Sequence, residues 1–311
     1  MSKIAELESQ IRDVFNIPRR HKNTRRDRAN FKQACSALDA IGDTELALQE
    51  FKLNNSSFTT GILYILAYGV LQAIFLQQDA IKHLALSLGL PFHLPEELRE
   101  IRESRNDATG HPTNRDIDRK KKIKSFHHIS RITLSKAGFQ LMSSYSDNDS
   151  YDFKNIQFDK IINIQSKFSE KLLDDILNKL KVDENTHREK FMNDKLTDCF
   201  HSSLPYIFSK VREGVRSTTG RNFALLNFKS IIDAISSFEK KLIDRGEEES
   251  IEYIKEDLSY PTEKVLDYLE GKEGVDLRAT EIFIDYIERQ VDSLKQIAKE
   301  IDENYQKKYK L

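Results

Sequence analysis

Apolar residues recur at helical spacing along most of the chain, and the breaks between periodic runs fall at glycine, proline and polar clusters. The pattern predicts a short amphipathic helix over 2–16, ending before Pro18 and a basic loop. Periodicity resumes near Asp27 with Phe31, Cys35 and Leu38, breaks near Gly42, and continues to about Leu53. Ser56 or Ser57 is placed to cap a long helix over 58–88, which Gly89 and Pro91 stop. Pro95 followed by Glu96 and Glu97 suits a helix N-terminus. That helix carries Leu98, Ile101 and Arg105 and should end by Gly110, with Pro112 close behind.

The period then changes. Over 126–144, Ile129, Ile132, Leu134, Phe139, Leu141 and Met142 flank the break Lys136-Ala137-Gly138, which predicts a small β-hairpin. A polar loop follows over 146–150, and helical spacing returns over 158–182 through Ile161, Ile162, Phe168, Leu172, Ile176 and Leu180. The rest reads as helices over 187–213, 221–245, 247–270 and 276–308, with breaks at Pro205, Gly220, Gly246, Pro261 and Gly271 or Gly274. The expected class is all-α, a helical bundle with a hairpin insertion over 1–183 and a further helical region over 184–311. The boundary is drawn at the polar stretch 183–186.

The long helix is apolar nearly all round, which predicts a central position. The apolar stretch 62–76 is short for a membrane span, contains Gln72 and runs into Gln77-Gln78-Asp79, so a core helix is expected and no membrane association. Its polar exceptions are informative. At about 100° per residue, Tyr68, Gln72, Asp79 and His83 fall within roughly 60° of one another. A stripe of this kind must face water, a partner or other polar groups, because burying an unpaired amide or carboxylate costs about 1–3 kcal/mol or more.

Composition narrows the function. Lys and Arg number 49 against 50 Asp and Glu, which argues against a large sequence-independent nucleic-acid surface and leaves only local patches. Two stand out: Arg19-Arg20-His21-Lys22 through Arg25-Arg26, and Arg119-Lys120-Lys121-Lys122 with Lys124. The two cysteines, Cys35 and Cys199, make neither a disulfide framework nor a zinc site, and imply a reducing compartment. With a charged N-terminus lacking a signal-peptide apolar region, a cytoplasmic location is expected. His127 and His128 are adjacent in a predicted strand and so point to opposite faces, which disfavours a shared metal. His83 and His93 lack ligands at metal spacing. Glu247-Glu248-Glu249 reads as a solvated helix start and Arg221-Asn222 as another. No phosphate-binding loop, dinucleotide fingerprint or nucleophile elbow is present.

The segment 105–111, Arg-Asn-Asp-Ala-Thr-Gly-His, carries the sharpest chemistry. Arg and His six residues apart point to different faces of a continuous helix, but Gly110 permits a turn that returns His111 towards Arg105. The pair would place a permanent cation with a fork of donors beside an imidazole, the side chain that titrates near neutrality. RNA cleavage by the ribose 2′-oxygen needs a base, an acid for the leaving 5′-oxygen, and positive charge on the non-bridging oxygens. Imidazole and guanidinium supply these without a metal. Capping of helix carbonyls by the same residues is the simpler structural reading.

In this setting Arg105-Asn106-x4-His111 resembles the motif of the HEPN superfamily: an Arg, four to six residues, then His, commonly with a polar residue after the Arg. The preceding helix, with Tyr-Gly-Val-Leu-Gln at 68–72 and Gln-Gln-Asp-Ala at 77–80, is similar to bacterial members. The resemblance covers roughly 25–180. It implies a helical-bundle ribonuclease of the kind found in toxin–antitoxin, abortive-infection and CRISPR-linked defence systems. Arg105 and His111 would be catalytic and Asn106 would orient them. Tyr68, Gln72, Asp79 and His83 would line the site, and Arg119, Lys120, Lys121, Lys122 and Lys124 would draw in RNA. No metal or other cofactor is implied. Members usually set two motifs face to face, so one motif per chain implies a homodimer, with an antitoxin or defence-system partner possible in principle. Toxins paired with a nucleotidyltransferase antitoxin carry Tyr two residues after the His; Thr113 stands there in this chain, which puts that mode of control in doubt. Other members bind nucleotides or partners without cutting, and a non-catalytic scaffold or sensor is the alternative expectation.

Overall fold

The computed structural model describes residues 2–17, 19, 28–54, 56–118, 123–217, 219–272, 274 and 276–309. The chain is mostly helical with one small antiparallel sheet, and it divides into two compact units. The first comprises Met1–Asn16 and Thr24–Leu180, the second Ile17–Asn23 and Lys181–Leu311. The stretch 183–186 is helical, and the division falls just before it.

In the first unit, α1 (Lys3–Phe15) starts where the Ser2 hydroxyl accepts the Ala5 N–H, and buries Ile4, Leu7, Ile11, Val14 and Phe15. Next come α2 (Arg28–Leu53) and α3 (Thr60–Ser87), which pack together as a helical hairpin. Gly42 does not break α2, which runs on through it, since a lone glycine costs a helix only about 1 kcal/mol. The cap of α3 is Thr59, not Ser56 or Ser57; its hydroxyl accepts the Ile62 N–H. Helix α4 (Glu96–Arg105) follows, with Glu96 and Glu97 in its first turn as expected.

The predicted hairpin is half of a larger element. Strands β1 (Arg115–Asp118), β2 (Ile123–Ile129), β3 (Gly138–Tyr145) and β4 (Tyr151–Gln157) form a four-stranded antiparallel sheet in sequential order. β1 and β4 escaped the pattern for physical reasons: β1 is four residues with a single apolar side chain, Ile117, and in β4 the exposed Tyr151 and Phe153 lie on the face opposite its one buried residue, Ile156, so no single apolar face runs along the strand. The close approach of β3 to β4 explains Gly138, which has φ 147° and where a Cβ would lie 1.9 Å from the Ile156 carbonyl oxygen. The inner sheet face (Ile129, Phe139, Leu141, Ile156) packs with Phe51 of α2, Leu71 and Ile74 of α3, Ile101 of α4 and Phe158. Phe158 stands edge-on to both Phe51 and Phe139. It opens α5 (Phe158–Phe191), whose residues to Leu180 belong to this unit.

The expectation that α3 is central is corrected. The helix is long and apolar enough by composition to cross a membrane, yet only a third of its most apolar window is buried. One face enters the core through Ala67, Val70, Leu71 and Ile74; the other exposes Ile62, Ile65, Tyr68 and Leu76.

The second unit is helical: the end of α5, α6 (Leu204–Val215), α7 (Arg221–Arg245), α8 (Glu252–Leu269) and α9 (Leu277–Tyr305) surround a core including Phe208, Phe228, Phe238, Val265, Ile287 and Leu294. The predicted helix over 187–213 is interrupted between Phe191 and Leu204, where the Asp302 carboxylate accepts the N–H groups of Leu196 and Thr197. Pro261 lies within α8 without ending it, and Gly246 ends α7 in the left-handed conformation. Glu247 is not a solvated helix start. It is buried, 3.5 Å from the Tyr305 hydroxyl, and burial raises its carboxyl above the usual range.

Candidate active site

Helix α4 does not stop at Arg105; it widens into one π-helical turn over Asn106–Gly110. The Thr109 hydroxyl donates to the Arg105 carbonyl at 2.9 Å, a back-bond that bends helices. The His111 N–H donates to the Asn106 carbonyl at 2.8 Å, five residues back instead of four. The turn is therefore made by a π-bulge and not by a left-handed glycine, since Gly110 has no positive φ. His111 emerges at its end, exposed, with Pro112 stopping further helix.

The Arg105 side chain is held from three directions. Its Nη2 donates to Gln72 Oε1 on α3 at 2.6 Å, its Nη1 donates to Asn106 Oδ1 at 3.1 Å, and its guanidinium carbon lies 4.3 Å from the centre of the Phe75 ring. The same guanidinium packs over Gly110: a Cβ there would lie 3.0 Å from Arg105 Nη1. The cation thus sits against the residue that immediately precedes His111. Two of its five N–H donors are used, and its buried Nε has no partner among the described residues.

Arg102, one turn earlier, donates to Asp79 Oδ1 at 2.8 Å and also lies over Phe75, at 4.2 Å. Phe75 therefore carries both guanidiniums, an arrangement favoured by the negative face of the ring. The stripe on α3 splits accordingly. Gln72 and Asp79 each hold an arginine of α4. His83 instead bonds Gln33 of α2, with 3.0 Å between Nδ1 and the amide nitrogen. Tyr68 is exposed beside Tyr64.

A second cluster, not anticipated from the sequence, braces the turn from below. Asp107 accepts from Arg115 of β1, which also donates to Glu103. His127 of β2 is buried on the inner sheet face, its Nε2 3.4 Å from Asp107 Oδ1 and 2.7 Å from the Ser125 hydroxyl, its Nδ1 2.8 Å from the Ser143 hydroxyl. Burial, the largest influence, lowers the His127 pKa; Asp107 opposes this and Arg115 reinforces it. Its backbone N–H donates to the Pro112 carbonyl, so the sheet grips both sides of His111. Strand alternation was the available signal: His127 is buried and His128 exposed, as adjacent strand residues must be. Nothing in the sequence tied His127 to Asp107.

Of the basic run, Arg119, Lys120, Lys121 and Lys122 lie outside the described residues, as do Arg20, His21, Lys22, Arg25 and Arg26 of the other patch. Lys124 is half-buried, its backbone N–H bonded to the Ser146 hydroxyl. Arg19 does not belong to a solvated patch: it pairs with the buried Glu184 at 2.7 Å within the second unit. Among the described residues, no three His, Cys, Asp or Glu side chains stand close enough to hold a metal ion. Comparison of the chain with family models, curated proteins and solved structures gives no match.

Proposed function

We propose that the chain is a metal-independent endoribonuclease of HEPN type, acting in a toxin or phage-defence role. The carrying observation is the half-used Arg105 guanidinium, anchored by Gln72 and Phe75 and seated against Gly110, next to the exposed His111 at the end of the π-turn. In the reaction one imidazole takes the ribose 2′-OH proton, the 2′-oxygen attacks phosphorus, and the leaving 5′-oxygen takes a proton from an acid. The products are a 2′,3′-cyclic phosphate and a 5′-hydroxyl. Arg105 donates to the non-bridging oxygens as their charge grows.

One His per chain supplies one of the two proton carriers, so the reading includes a homodimer in which His111 of a second copy supplies the other. The exposed apolar face of α3 favours this. Ile62, Ile65, Tyr68 and Leu76 flank Gln72 on the helix that holds Arg105, and a two-fold contact there brings the same residues together from both copies. Purified protein should cut RNA in EDTA and leave 2′,3′-cyclic or 3′-phosphate ends. Arg105→Ala and His111→Ala should each remove most activity without lowering Tm appreciably. Strict Mg²⁺ dependence, or full activity of both variants, would overturn the mechanism and leave a non-catalytic scaffold.

A further inference from the structure

A cavity of about 280 Å³ opens beside the Arg105 site, lined by Gln78, Asp79, Lys82, Phe92, Leu94 and Arg102. Arg102 connects the two, since it and Arg105 share the Phe75 ring. One wall is apolar, from Phe92 and Leu94. Another is polar: the exposed Lys82, which has no ion-pair partner among the described residues, stands with the Arg102–Asp79 pair.

The wall at Gln78 has a polarity set from a distance. Glu45, Gln77, Gln165 and Gln78 are all buried and form a directed chain. Gln77 Nε2 donates to Glu45 Oε2 at 3.2 Å, Gln165 Nε2 donates to Gln77 Oε1 at 2.8 Å, and Gln78 Nε2 donates to Gln165 Oε1 at 2.9 Å. A carboxylate can only accept, so Glu45 orients Gln77, Gln77 orients Gln165, and Gln165 orients Gln78. The chain therefore ends on Gln78 Oε1, a buried acceptor with no donor among the described residues. Flipping any amide to relieve it would set oxygen against oxygen further along. Gln78 is one of the residues lining the cavity, and an orphaned acceptor on a lining residue calls for an N–H or O–H donor from that side.

We infer that this cavity binds the nucleobase of an RNA residue next to the cleaved bond. The inference deepens the ribonuclease reading and rests on it. The base lies against Phe92 and Leu94, presents an amino group to Gln78 Oε1, and leaves its phosphate towards Lys82. The volume, just under the ~300–1,000 Å³ of drug-sized sites, suits one nucleotide and not a helix or strand of a partner. Adenine, cytosine and guanine carry amino groups. Uracil has one N–H, flanked by two carbonyl oxygens that oppose the Gln78 oxygen, so it is disfavoured by about tenfold, the scale of one hydrogen bond.

Two measurements test this. The full-length His111→Ala chain is titrated with AMP, CMP, GMP and UMP by calorimetry, and the wild type is mapped for cleavage preference on a randomised RNA. Expected are binding of the amino-bearing nucleotides at least tenfold tighter than UMP, loss of that binding in a His111→Ala, Phe92→Ala double variant, and a cleavage bias against uridine that Phe92→Ala flattens. Lys82→Ala should weaken all four nucleotides and keep their order. Equal or absent binding of all four nucleotides, with a cleavage bias unmoved by Phe92→Ala, overturns the base site while leaving the ribonuclease reading intact. Selective nucleotide binding that needs Phe92 in a chain that cuts no RNA upholds the cavity as a nucleotide site and overturns the ribonuclease reading alone.

Discussion

Gly110→Ala separates the placement of Arg105 from the stability of the fold. Gly110 has right-handed backbone geometry, so alanine is allowed there, and the swap of glycine for alanine in a helical turn stabilises by roughly 0.5–1 kcal/mol. The added Cβ would meet Arg105 Nη1 at 3.0 Å, about 0.4 Å inside ordinary contact. The guanidinium must yield, because the opposing atom is a side-chain tip. It cannot do so freely, since Gln72 holds Nη2 at 2.6 Å and Phe75 lies beneath it. Misplacement of a catalytic group by 1 Å costs about a hundredfold, so a shift of ~0.4 Å should cost about sixfold in kcat/KM. The expected variant melts at or slightly above the wild-type temperature and cleaves about five- to tenfold more slowly. On a Gln72→Ala background the guanidinium is already released, so adding Gly110→Ala should cost less than twofold more. Single-turnover cleavage assays with thermal melts on all four proteins give the comparison. Wild-type cleavage by Gly110→Ala, with Arg105→Ala inactive, would show that the charge matters and its seat on Gly110 does not.

Three further outcomes are expected. The Asp79–Arg102 pair is partly exposed and worth only ~0–1 kcal/mol, so Asp79→Ala should lower cleavage severalfold with a small change in Tm; a large stability loss at unchanged specific activity would assign Asp79 a purely structural part. Ile65 is 64% exposed, so Ile65→Asp should leave the monomer folded while sedimentation shows loss of the dimer and cleavage falls with it; an unaltered dimer would place the two-fold contact elsewhere. In the second unit, burial first and the Arg19 charge second lower the His187 pKa from 6.5 to about 4. The folded state then binds fewer protons than the unfolded chain, so this contribution is complete above about pH 6.5 and is lost as pH falls towards 4. Partial exposure of the ring reduces the nominal linkage to about 1–2 kcal/mol. His187→Gln should flatten the fall in Tm between pH 6.5 and 4, and an unchanged pH profile would remove His187 from the account.

Periodicity along the chain was enough to place most helices, because a helix that buries one stripe must repeat that stripe every 3.6 residues, and because Ser2, Pro95 and Gly246 act only on residues close to them in sequence, Ser2 through its hydroxyl and the other two through backbone geometry. The proximity in sequence of Arg105, Asn106 and His111 was likewise legible, as was the alignment of Gln72 and Asp79 on one helical face. Long-range partners were not. That Gln72 holds Arg105 while Asp79 holds Arg102 and His83 turns to Gln33 depends on how α3 meets α4 and α2. That His127 and Arg115 brace Asp107 depends on the pairing of β1 with β2, and β1 is four residues with a single apolar side chain, Ile117. The half-exposure of α3 was hidden because hydropathy registers that a face is apolar, not what covers it. The burial of Glu247 was hidden for the converse reason: a carboxylate reads as solvated until the fold brings a hydroxyl such as Tyr305 against it. The direction of the Gln78 amide lies furthest from the sequence, since it is set by Glu45 through two intervening glutamines that only packing aligns.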